Sequence, residues 1–209
     1  MTERTQYSAI ILAGGKSSRM GRPKADLKFE GGTMLDYIVA EMMRVFEDVV
    51  VAVSEHRLYA WEEASYSARS IVDRARYRGP VAALEQALRA VEFDRTFVCS
   101  CDVPFVSGDL ARKLCDMLGD HDALIPQVEG KLQPLHAVYR KNCAKILATM
   151  REQKQNRLQD VVNFARVRVV PEEEIRALDP DPRLTSFFNV NTPEDYQRAI
   201  KLMGERDRT

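Results

Sequence analysis

The sequence predicts an α/β fold, in which a mostly parallel, Rossmann-like sheet is the middle layer of a three-layer α/β/α sandwich. The first reason is that short, continuously apolar segments alternate with segments whose apolar residues recur at helical spacing. Continuously apolar strands are typical of parallel sheets covered by helices on both faces. The second reason is that four polar clusters directly follow predicted strands. Ligands bind beyond the carboxyl ends of strands in such folds, so a binding site is predicted at that edge.

The first half of the chain has four predicted strands, at residues 9–13, 49–53, 70–72 and 96–101. Each is a short apolar run, and Gly14 and Gly15 end the first one. Apolar residues three or four positions apart predict three helices, with the faces Leu35, Ile38, Val39, Met42 and Phe46; Val81, Leu84, Leu88 and Val91; and Leu110, Leu114 and Leu118. Thr33 is the predicted N-cap of the first helix, and Gly79 and Pro80 lead into the second.

The second half has four more predicted strands, at residues 122–126, 134–139, 166–170 and 187–190. The third of these alternates charged residues with Val, as expected at a sheet edge. One helix is predicted through Ile146 and Met150, and residues 171–183 are predicted to form a surface loop with a short helix. The last helix should begin with Thr192 as N-cap and Pro193 at its first position. Its predicted inward face is Tyr196, Ala199, Ile200 and Met203.

The composition is typical of a soluble globular protein, and residues 1–209 are predicted to form one domain. The chain has 31 Lys+Arg and 31 Asp+Glu, hence no formal net charge. General nucleic-acid-binding proteins normally carry a basic excess, because phosphate contacts supply most of their affinity, so no nucleic-acid partner is expected. A net charge of zero still allows a local cluster of cations around one phosphorylated ligand.

Targeting and cysteine patterns point to the cytoplasm. Residues 1–8 are polar and lack the basic and apolar regions of a signal peptide, and no stretch approaches the roughly 20 apolar residues that a membrane helix needs. No membrane association is therefore expected. The four cysteines fit no zinc pattern and are predicted to be reduced, buried or half-buried thiols: Cys99, Cys101, Cys115 and Cys143.

The polar cluster after the first strand is a basic loop that contains glycine. Successive glycines let backbone N–H groups approach an anion, and the loop adds the cations Lys16, Arg19, Arg22 and Lys24. It is not a Walker A loop, because Ile10 stands where that motif needs Gly, and it lacks the G-x-G-x-x-G spacing. The loop is therefore predicted to bind phosphates, the alternative being a solvated basic loop without a ligand.

The remaining clusters supply carboxylates and amides. Asp102 follows the fourth strand, where a carboxylate suits Mg²⁺, an ion that takes few protein carboxylates and completes its shell with water and phosphate oxygens. Asp73 follows the third strand. Asn189 and Asn191 are two positions apart, so both amides would lie on one face of a strand. The alternative is that the acids are turn residues and that the amides cap a strand-to-helix turn.

In chain order, these motifs resemble those of the molybdenum cofactor guanylyltransferases, the MobA family of nucleotidyltransferases. Residues 12–24 resemble L-A-[GA]-G-x-x-x-R-M-G-x-x-K, and residues 101–105 match C-D-x-P-[FY]. The segment that ends at Glu194 closely matches F-x-N-x-N-T-P-E. The resemblance implies a fold of the nucleotide-diphospho-sugar transferase type. It also implies transfer of GMP from GTP to the terminal phosphate of molybdopterin, or of its molybdenum-loaded form, with Mg²⁺ bound and pyrophosphate released.

The resemblance further implies which residues act. Lys24 would bridge the reacting phosphates, Arg19 would be a second cation on the triphosphate, and Asp102 would bind Mg²⁺; these three are the predicted catalytic residues. The residues implied to bind the nucleotide are Leu12, Ala13, Gly14, Gly15, Lys24, Ser54, Asp73 and Asp102.

The resemblance also implies three residues that would bind the acceptor. Asn189 and Asn191 would contact the pterin or position the metal site, and His136 lies in a segment that resembles the pterin side of the family's cleft. We expect His136 to contact the pterin or to be structural. A general-base role is not expected, because a phosphate monoester is already largely anionic at neutral pH.

Base recognition departs from the family pattern. Family members can carry an Asn that contacts guanine where this chain has Ala52, so Ser54 and the loop backbone are expected to make these contacts. The related molybdopterin cytidylyltransferases carry Ala where this chain has Gly14, which favours guanine.

Two alternatives remain open at this point. One is a cytidylyltransferase for molybdopterin, or another nucleotidyltransferase that uses a nucleoside triphosphate and a small phosphorylated acceptor. The other is a binding module that delivers molybdopterin without catalysis, which the pairing of Lys24 with Asp102 disfavours. The expected partners are GTP and the molybdenum cofactor, with other cofactor-biosynthesis proteins or recipient molybdoenzymes as further candidates.

Overall fold

A computed structural model of the protein describes residues 5–14, 24–29, 32–53, 68–72, 79–179 and 181–206. The strands in these residues are β1 (Thr5–Leu12), β2 (Lys28–Phe29), β3 (Gly32–Thr33), β4 (Phe46–Val53), β5 (Arg69–Val72), β6 (Arg95–Ser100), β7 (Ala123–Val128), β8 (Lys131–Leu132), β9 (His136–Arg140) and β10 (Val167–Val170). Strands β2 and β3 form a separate antiparallel pair, and the other strands form one sheet.

The order across the main sheet is β10-β7-β9-β6-β1-β4-β5, and β8 pairs with β7. Parallel pairing joins β1 to both β4 and β6, β4 to β5, and β7 to β10, whereas β9 runs antiparallel to both of its neighbours. At the centre, Ile11 is in register with Val51 on β4 and with Cys99 on β6. The prediction of a mostly parallel sheet is confirmed.

Helices cover both faces of this sheet. They are α1 (Met34–Val45), α2 (Pro80–Ala90), α3 (Gly108–Asp116), α4 (Cys143–Glu152), α5 (Glu172–Leu178) and α6 (Pro193–Arg206). Successive side chains of a strand point to opposite faces. Ala9 and Ile11 therefore join a core with α1, α3, α5 and α6, whereas Ile10 and Leu12 join a second core with α2 and α4. The two cores explain why residues 9–12 of β1 are continuously apolar, and they confirm the three-layer sandwich.

Two helices begin as the sequence predicts. The Thr33 hydroxyl accepts from the N–H of Asp36, and the Asp36 carboxylate accepts in return from the N–H of Thr33. Thr192 and Asp195 make the same reciprocal pair at the start of α6. Each pair satisfies N–H groups that have no partner inside a first helical turn.

The prediction of a strand at residues 187–190 is wrong. Leu184 adopts a left-handed conformation with φ 52°, and Thr185–Phe187 form a 3-10 helix closed by local backbone hydrogen bonds. Residues 188–190 are irregular, because a single hydrogen bond from the N–H of Val190 to the carbonyl of Asp102 replaces a strand ladder. Phe187 and Val190 are apolar because they are buried, not because the segment is extended.

The predicted inward face of α6 is also partly wrong. Ala199 is fully buried, whereas 41% of Ile200 is exposed. Ile200 lies about 100° further round the helix than Ala199, and this turn brings it to the edge of the buried face.

Two further observations concern covalent and membrane features. The four cysteines are free thiols; Cys99, Cys115 and Cys143 are buried and Cys101 is half-buried, as predicted. Among the described residues, no helix combines the length and the apolar character needed to cross a membrane.

Candidate active site

Backbone hydrogen bonds align the carboxyl ends of β1, β4 and β6. The N–H of Ala13 donates to the carbonyl of Ala52 at 2.9 Å, and the N–H of Cys101 donates to the carbonyl of Leu12 at 3.1 Å. Gly14, which is exposed, follows Ala13, and Asp102 follows Cys101. Both residues consequently lie at the same edge of the sheet. This is the edge at which the sequence predicts a ligand site.

Asp102 is held at its backbone and at both carboxylate oxygens. Its carbonyl accepts from the N–H of Val190 at 2.8 Å, which ties the end of β6 to the segment before α6. The Ser100 hydroxyl donates to Oδ1, and Lys24 Nζ donates to Oδ2 at 3.0 Å. The hydrogen bonds orient the carboxylate. Because 18% of the Asp102 side chain is exposed, a small ligand can still reach it.

Lys24 joins the loop side of the site to the C-terminal side. It begins a short 3-10 helix, Lys24–Asp26, which the buried Ala25 holds against the core. Besides contacting Asp102, Lys24 Nζ donates to Asn191 Oδ1 at 2.6 Å. The ammonium group therefore lies between two oxygen acceptors that come from distant parts of the sequence.

Asn191 is oriented through the start of α6. The Asp195 carboxylate accepts from the N–H of Asn191 at 3.0 Å and from the N–H of Thr192 at 2.9 Å. Burial raises the pKa of Asp195, but these hydrogen bonds outweigh it, so the pKa is lowered from its ordinary value. Asp195 thus stays ionised and fixes the backbone from which the Asn191 amide reaches Lys24.

A cavity of about 230 Å³ adjoins Asp102 on the side of β9. Its lining includes Ser100, Asp102, Gln133, His136, Phe187 and Asn189. The Asn189 amide donates to the carbonyl of Phe187 at 3.0 Å, which fixes its position in the wall. Asn189 therefore faces the cavity, whereas Asn191 faces Lys24, and the two amides do not share one strand face as the sequence predicted.

His136 is the first residue of β9 and pairs with Cys99 of β6. It is 3% exposed, and its ring packs against Phe97 at 5.2 Å and Phe187 at 4.2 Å between centroids. Burial lowers the pKa of His136 to about 3, because the charged imidazolium would lose its hydration. The side chain is accordingly neutral at physiological pH, and its imidazole is only a weak proton acceptor.

A second cavity, of about 430 Å³, lies next to the first and shares Pro134 and Leu135 with it. Its walls also include Pro80, at the start of α2, and Arg157. The polar side chains of this second cavity come from one segment, residues 156–159.

Several predicted site residues lie outside the described residues: Gly15, Lys16, Arg19, Arg22, Ser54 and Asp73. Those that the structure brings together are Leu12, Ala13 and Gly14 at the end of β1 and Lys24, Asp102 and Asn191 at one contact. Asn189 and His136 line the cavity next to that contact.

The donor set around Asp102 has the chemistry of a magnesium site. A carboxylate and an amide oxygen already hold one cation, the Lys24 ammonium, and such oxygen atoms are the ligands that Mg²⁺ prefers. In the described part of the chain, no group of three or more His, Cys, Asp and Glu residues could bind a metal. Any Mg²⁺ would thus need water or phosphate oxygens to complete its coordination.

Two site residues did not emerge from the sequence. Ser100 orients Asp102, and Phe187 covers His136. A polar residue two positions before a strand-end carboxylate is a usable signal, since such side chains share a strand face. The contact of Phe187 depends on a turn that the apolar pattern does not encode.

Comparison with known proteins identifies the family. Residues 9–170 match the MobA-like NTP transferase domain. The chain belongs to the MobA-like NTP transferase family. This match spans the sheet from β1 to β10 and includes both Lys24 and Asp102.

Relatives in this MobA-like family match almost the whole chain. A probable molybdenum cofactor guanylyltransferase of Pelotomaculum thermopropionicum is 33% identical over 98% of this chain and 96% of its own length. A molybdenum cofactor guanylyltransferase of Desulfosudis oleivorans is 30% identical over 92% of this chain and 93% of its own length.

Solved structures agree with the MobA-like assignment. Molybdopterin-guanine dinucleotide biosynthesis protein A from Archaeoglobus fulgidus has a TM-score of 0.81 and 26% identity, covering 95% of this chain and 99% of that one. A cytidylyltransferase for 2-C-methyl-D-erythritol 4-phosphate from Thermus thermophilus has a TM-score of 0.62 and 18% identity over 95% and 98% of the two chains. The second likeness concerns the fold alone.

Proposed function

We propose that this protein transfers GMP from GTP to the terminal phosphate of molybdopterin, or of its molybdenum-loaded form. An oxygen of the acceptor phosphate forms a bond to the α-phosphorus, and the bond from that phosphorus to the bridging oxygen of pyrophosphate breaks. The products are a molybdopterin guanine dinucleotide and pyrophosphate. The observation that carries the proposal is the Lys24–Asp102–Asn191 contact at the carboxyl ends of the strands, in a chain whose relatives are named for this reaction.

The nucleotide side of the proposal uses the end of β1 and the loop after it. The backbone of Leu12, Ala13, Gly14 and Gly15 would border the guanine and the phosphates, and Ser54 and Asp73 would add side-chain contacts. The exposure of Gly14 at the sheet edge supports close approach of a ligand to this backbone. Lys24 and Arg19 would neutralise the phosphate charge that develops during transfer.

The metal side of the proposal places Mg²⁺ on Asp102, with Asn191 positioned beside it. When bound, Mg²⁺ would neutralise phosphate oxygens and hold them in a fixed geometry. The Lys24 ammonium now lies between the same two oxygens. We infer that Lys24 leaves this position when a divalent cation binds, and that its side chain then contacts the triphosphate.

The acceptor side of the proposal is the cavity between Asp102 and β9. Asn189, Asn191 and His136 are the proposed acceptor residues; Asn189 and His136 line this cavity, and Asn191 lies beside it at Lys24. The cavity opens directly beside Asp102, so an acceptor phosphate near that carboxylate would leave the rest of the acceptor within reach of these walls. The near-complete match to relatives supports the accompanying proposal that residues 1–209 act as one domain.

The test is pyrophosphate release by the purified chain with defined substrates. GTP, CTP, UTP and ATP are each supplied with Mg²⁺ and with molybdopterin or its molybdenum-loaded form, and thermal-shift measurements report binding of each nucleotide. We expect release with GTP and a larger thermal shift with GTP than with the other three. Preference for CTP would contradict the guanine assignment, and nucleotide binding without pyrophosphate release would favour a delivery role.

A further inference from the structure

The segment that carries Lys24 is attached to α6 at a second point. Tyr196, near the start of α6, donates its hydroxyl to the backbone carbonyl of Lys28, the first residue of β2. The tyrosine ring also packs edge-on against the ring of Phe29, with 5.8 Å between centroids. These contacts are separate from the hydrogen bond between Lys24 and Asn191.

Packing around Phe29 holds β2 between two helices. The Phe29 side chain is buried, and besides Tyr196 on α6 it contacts Tyr37 on α1, edge-on at 5.9 Å between centroids. Aromatic packing of this kind fixes distance better than it fixes direction, whereas a hydrogen bond to a backbone carbonyl fixes both. The Tyr196 hydroxyl therefore sets the position of the β2 backbone relative to α6.

The chain between Lys24 and Lys28 is short and well anchored. The N–H of Leu27 donates to the carbonyl of Lys24 at 3.0 Å, and the carbonyl of Leu27 accepts from the N–H of Met34 at 2.8 Å. Ala25 and Leu27 are buried. A shift of the Lys28 carbonyl relative to α6 would consequently move the backbone of Lys24 as well.

The same helix start places the Asn191 amide. The N–H of Tyr196 donates to the carbonyl of Thr192 at 3.1 Å, and the N–H groups of Asn191 and Thr192 donate to the Asp195 carboxylate. Tyr196 thus has its backbone in the turn that orients Asn191 and its hydroxyl on the segment that carries Lys24.

We propose that Tyr196 is a positioning residue for Lys24: its hydroxyl keeps the Lys24 segment on α6 while the ammonium group moves from Asp102 and Asn191 to the triphosphate. This role rests on the proposed function, in which Lys24 makes that exchange. The contacts of the Lys24 side chain cannot hold the segment during the exchange, because they are the contacts that break. The bond from Tyr196 to the Lys28 carbonyl does not involve the Lys24 side chain.

The first test is a double-mutant cycle on kcat for pyrophosphate release. Tyr196→Phe keeps the ring that packs against Phe29 and removes the hydroxyl, so kcat should fall about fivefold, the effect of one lost hydrogen bond. In a Lys24→Ala background the same substitution should lower kcat no further, because the group that it positions is gone. Tyr7→Phe is the matched control, since the half-buried Tyr7 donates its hydroxyl to Asp116 at 2.7 Å near the amino end of β1. It should leave kcat as in wild type and change the melting temperature as much as Tyr196→Phe does.

Mn²⁺ binding without nucleotide tests the same role without turnover. A looser Lys24 segment should weaken the hold of Lys24 on Asp102, so Tyr196→Phe should bind Mn²⁺ about twofold more tightly than wild type. The gain should be absent when Tyr196→Phe is combined with Lys24→Met. Electron paramagnetic resonance of free Mn²⁺ gives the affinities.

Two results would overturn the role of Tyr196. One is an equal fold-loss of kcat from Tyr196→Phe with and without the Lys24 side chain, and the other is an unchanged Mn²⁺ affinity. In both cases the proposed function stands if wild type releases pyrophosphate. If wild type releases none with any molybdopterin acceptor, the proposed function is overturned, and the Mn²⁺ measurement alone decides whether Tyr196 positions Lys24.

Discussion

Lys24 and Asp102, 78 positions apart in the chain, are joined by a hydrogen bond of 3.0 Å from Nζ to Oδ2. Lys24 also reaches Asn191, so the ammonium group lies where a divalent cation would find a carboxylate and an amide oxygen. A cation held by the protein itself competes with one from solution. This competition can be measured without any substrate.

Lys24→Met is expected to bind Mn²⁺, a spectroscopic substitute for Mg²⁺, more tightly than wild type does in the absence of nucleotide. A partly exposed ion pair contributes up to about 1 kcal/mol, so the gain in affinity should reach about fivefold. Electron paramagnetic resonance of free Mn²⁺ gives the dissociation constants. Lys145→Met, on the exposed face of α4, is the matched control. Equal or weaker Mn²⁺ binding in Lys24→Met would contradict the competition.

Lys24 and Asp102 are also predicted to determine the rate of pyrophosphate release. Lys24→Ala and Asp102→Asn should each lower kcat for pyrophosphate release by about 10²–10³, the usual effect of removing a charge that stabilises a transition state. Circular dichroism should show unchanged folding, since both side chains lie at the sheet edge and outside the two cores. Asp120→Asn alters an exposed acid at the other end of the fold and serves as the control. Near-normal turnover in Lys24→Ala or Asp102→Asn would refute the assignment of that residue.

The sequence predicted the layers better than it predicted the contacts. A run such as residues 49–53 is apolar on both strand faces because helices cover both sides of β4, so composition alone indicates its environment. Caps such as Thr33 with Asp36 are equally local, since both partners lie within one turn.

Features that depend on distant partners were not predictable in the same way. The direction of β9 is not encoded by its apolar run, which would suit either parallel or antiparallel neighbours. The contact of Lys24 with Asn191 spans 167 positions and requires the turn after Leu184 in place of the predicted strand. The sequence nevertheless predicted that Asp102 and the residues after β1 share one edge, because parallel strands bring their carboxyl ends together.

At the opposite end of the sheet, Asp48 is expected to make stability depend on acid pH. Its buried carboxylate accepts from the Ser8 hydroxyl at 2.7 Å, the Glu92 N–H at 2.8 Å and Arg69 Nε at 3.1 Å. Burial raises the pKa of Asp48, but these donors outweigh it and leave the pKa below its ordinary value of 3.8. The stabilisation is therefore complete above the unfolded pKa and is lost as the pH falls through the folded pKa.

Urea unfolding between pH 7 and pH 2.5 tests this dependence. At pH 7, Asp48→Asn should lower the free energy of unfolding by about 2–3 kcal/mol, because buried donors lose their charged acceptor. The loss should shrink as the pH falls towards 2.5, because wild type then progressively loses the stabilisation that its ionised carboxylate provides. Glu47→Gln, an exposed neighbour on β4, should unfold like wild type at each pH. A loss that is the same at both ends of the range would show that charge is not the cause.

Asp195 is predicted to connect the stability of α6 with the geometry of the site. Its carboxylate accepts from the N–H groups of Asn191 and Thr192, so Asp195→Ala removes one half of the capping pair and releases the backbone that orients the Asn191 amide. The free energy of unfolding should fall by about 1 kcal/mol, a typical cost of losing a helix cap. In the same variant, kcat/KM for pyrophosphate release should fall several-fold, because Asn191 no longer holds its place beside Lys24 and Asp102. Glu194→Ala, an exposed acid in the same helical turn, should change stability less and leave kcat/KM as in wild type. Equal kinetic losses in the two variants would mean that the charge at the helix start, and not the position of Asn191, is what the site requires.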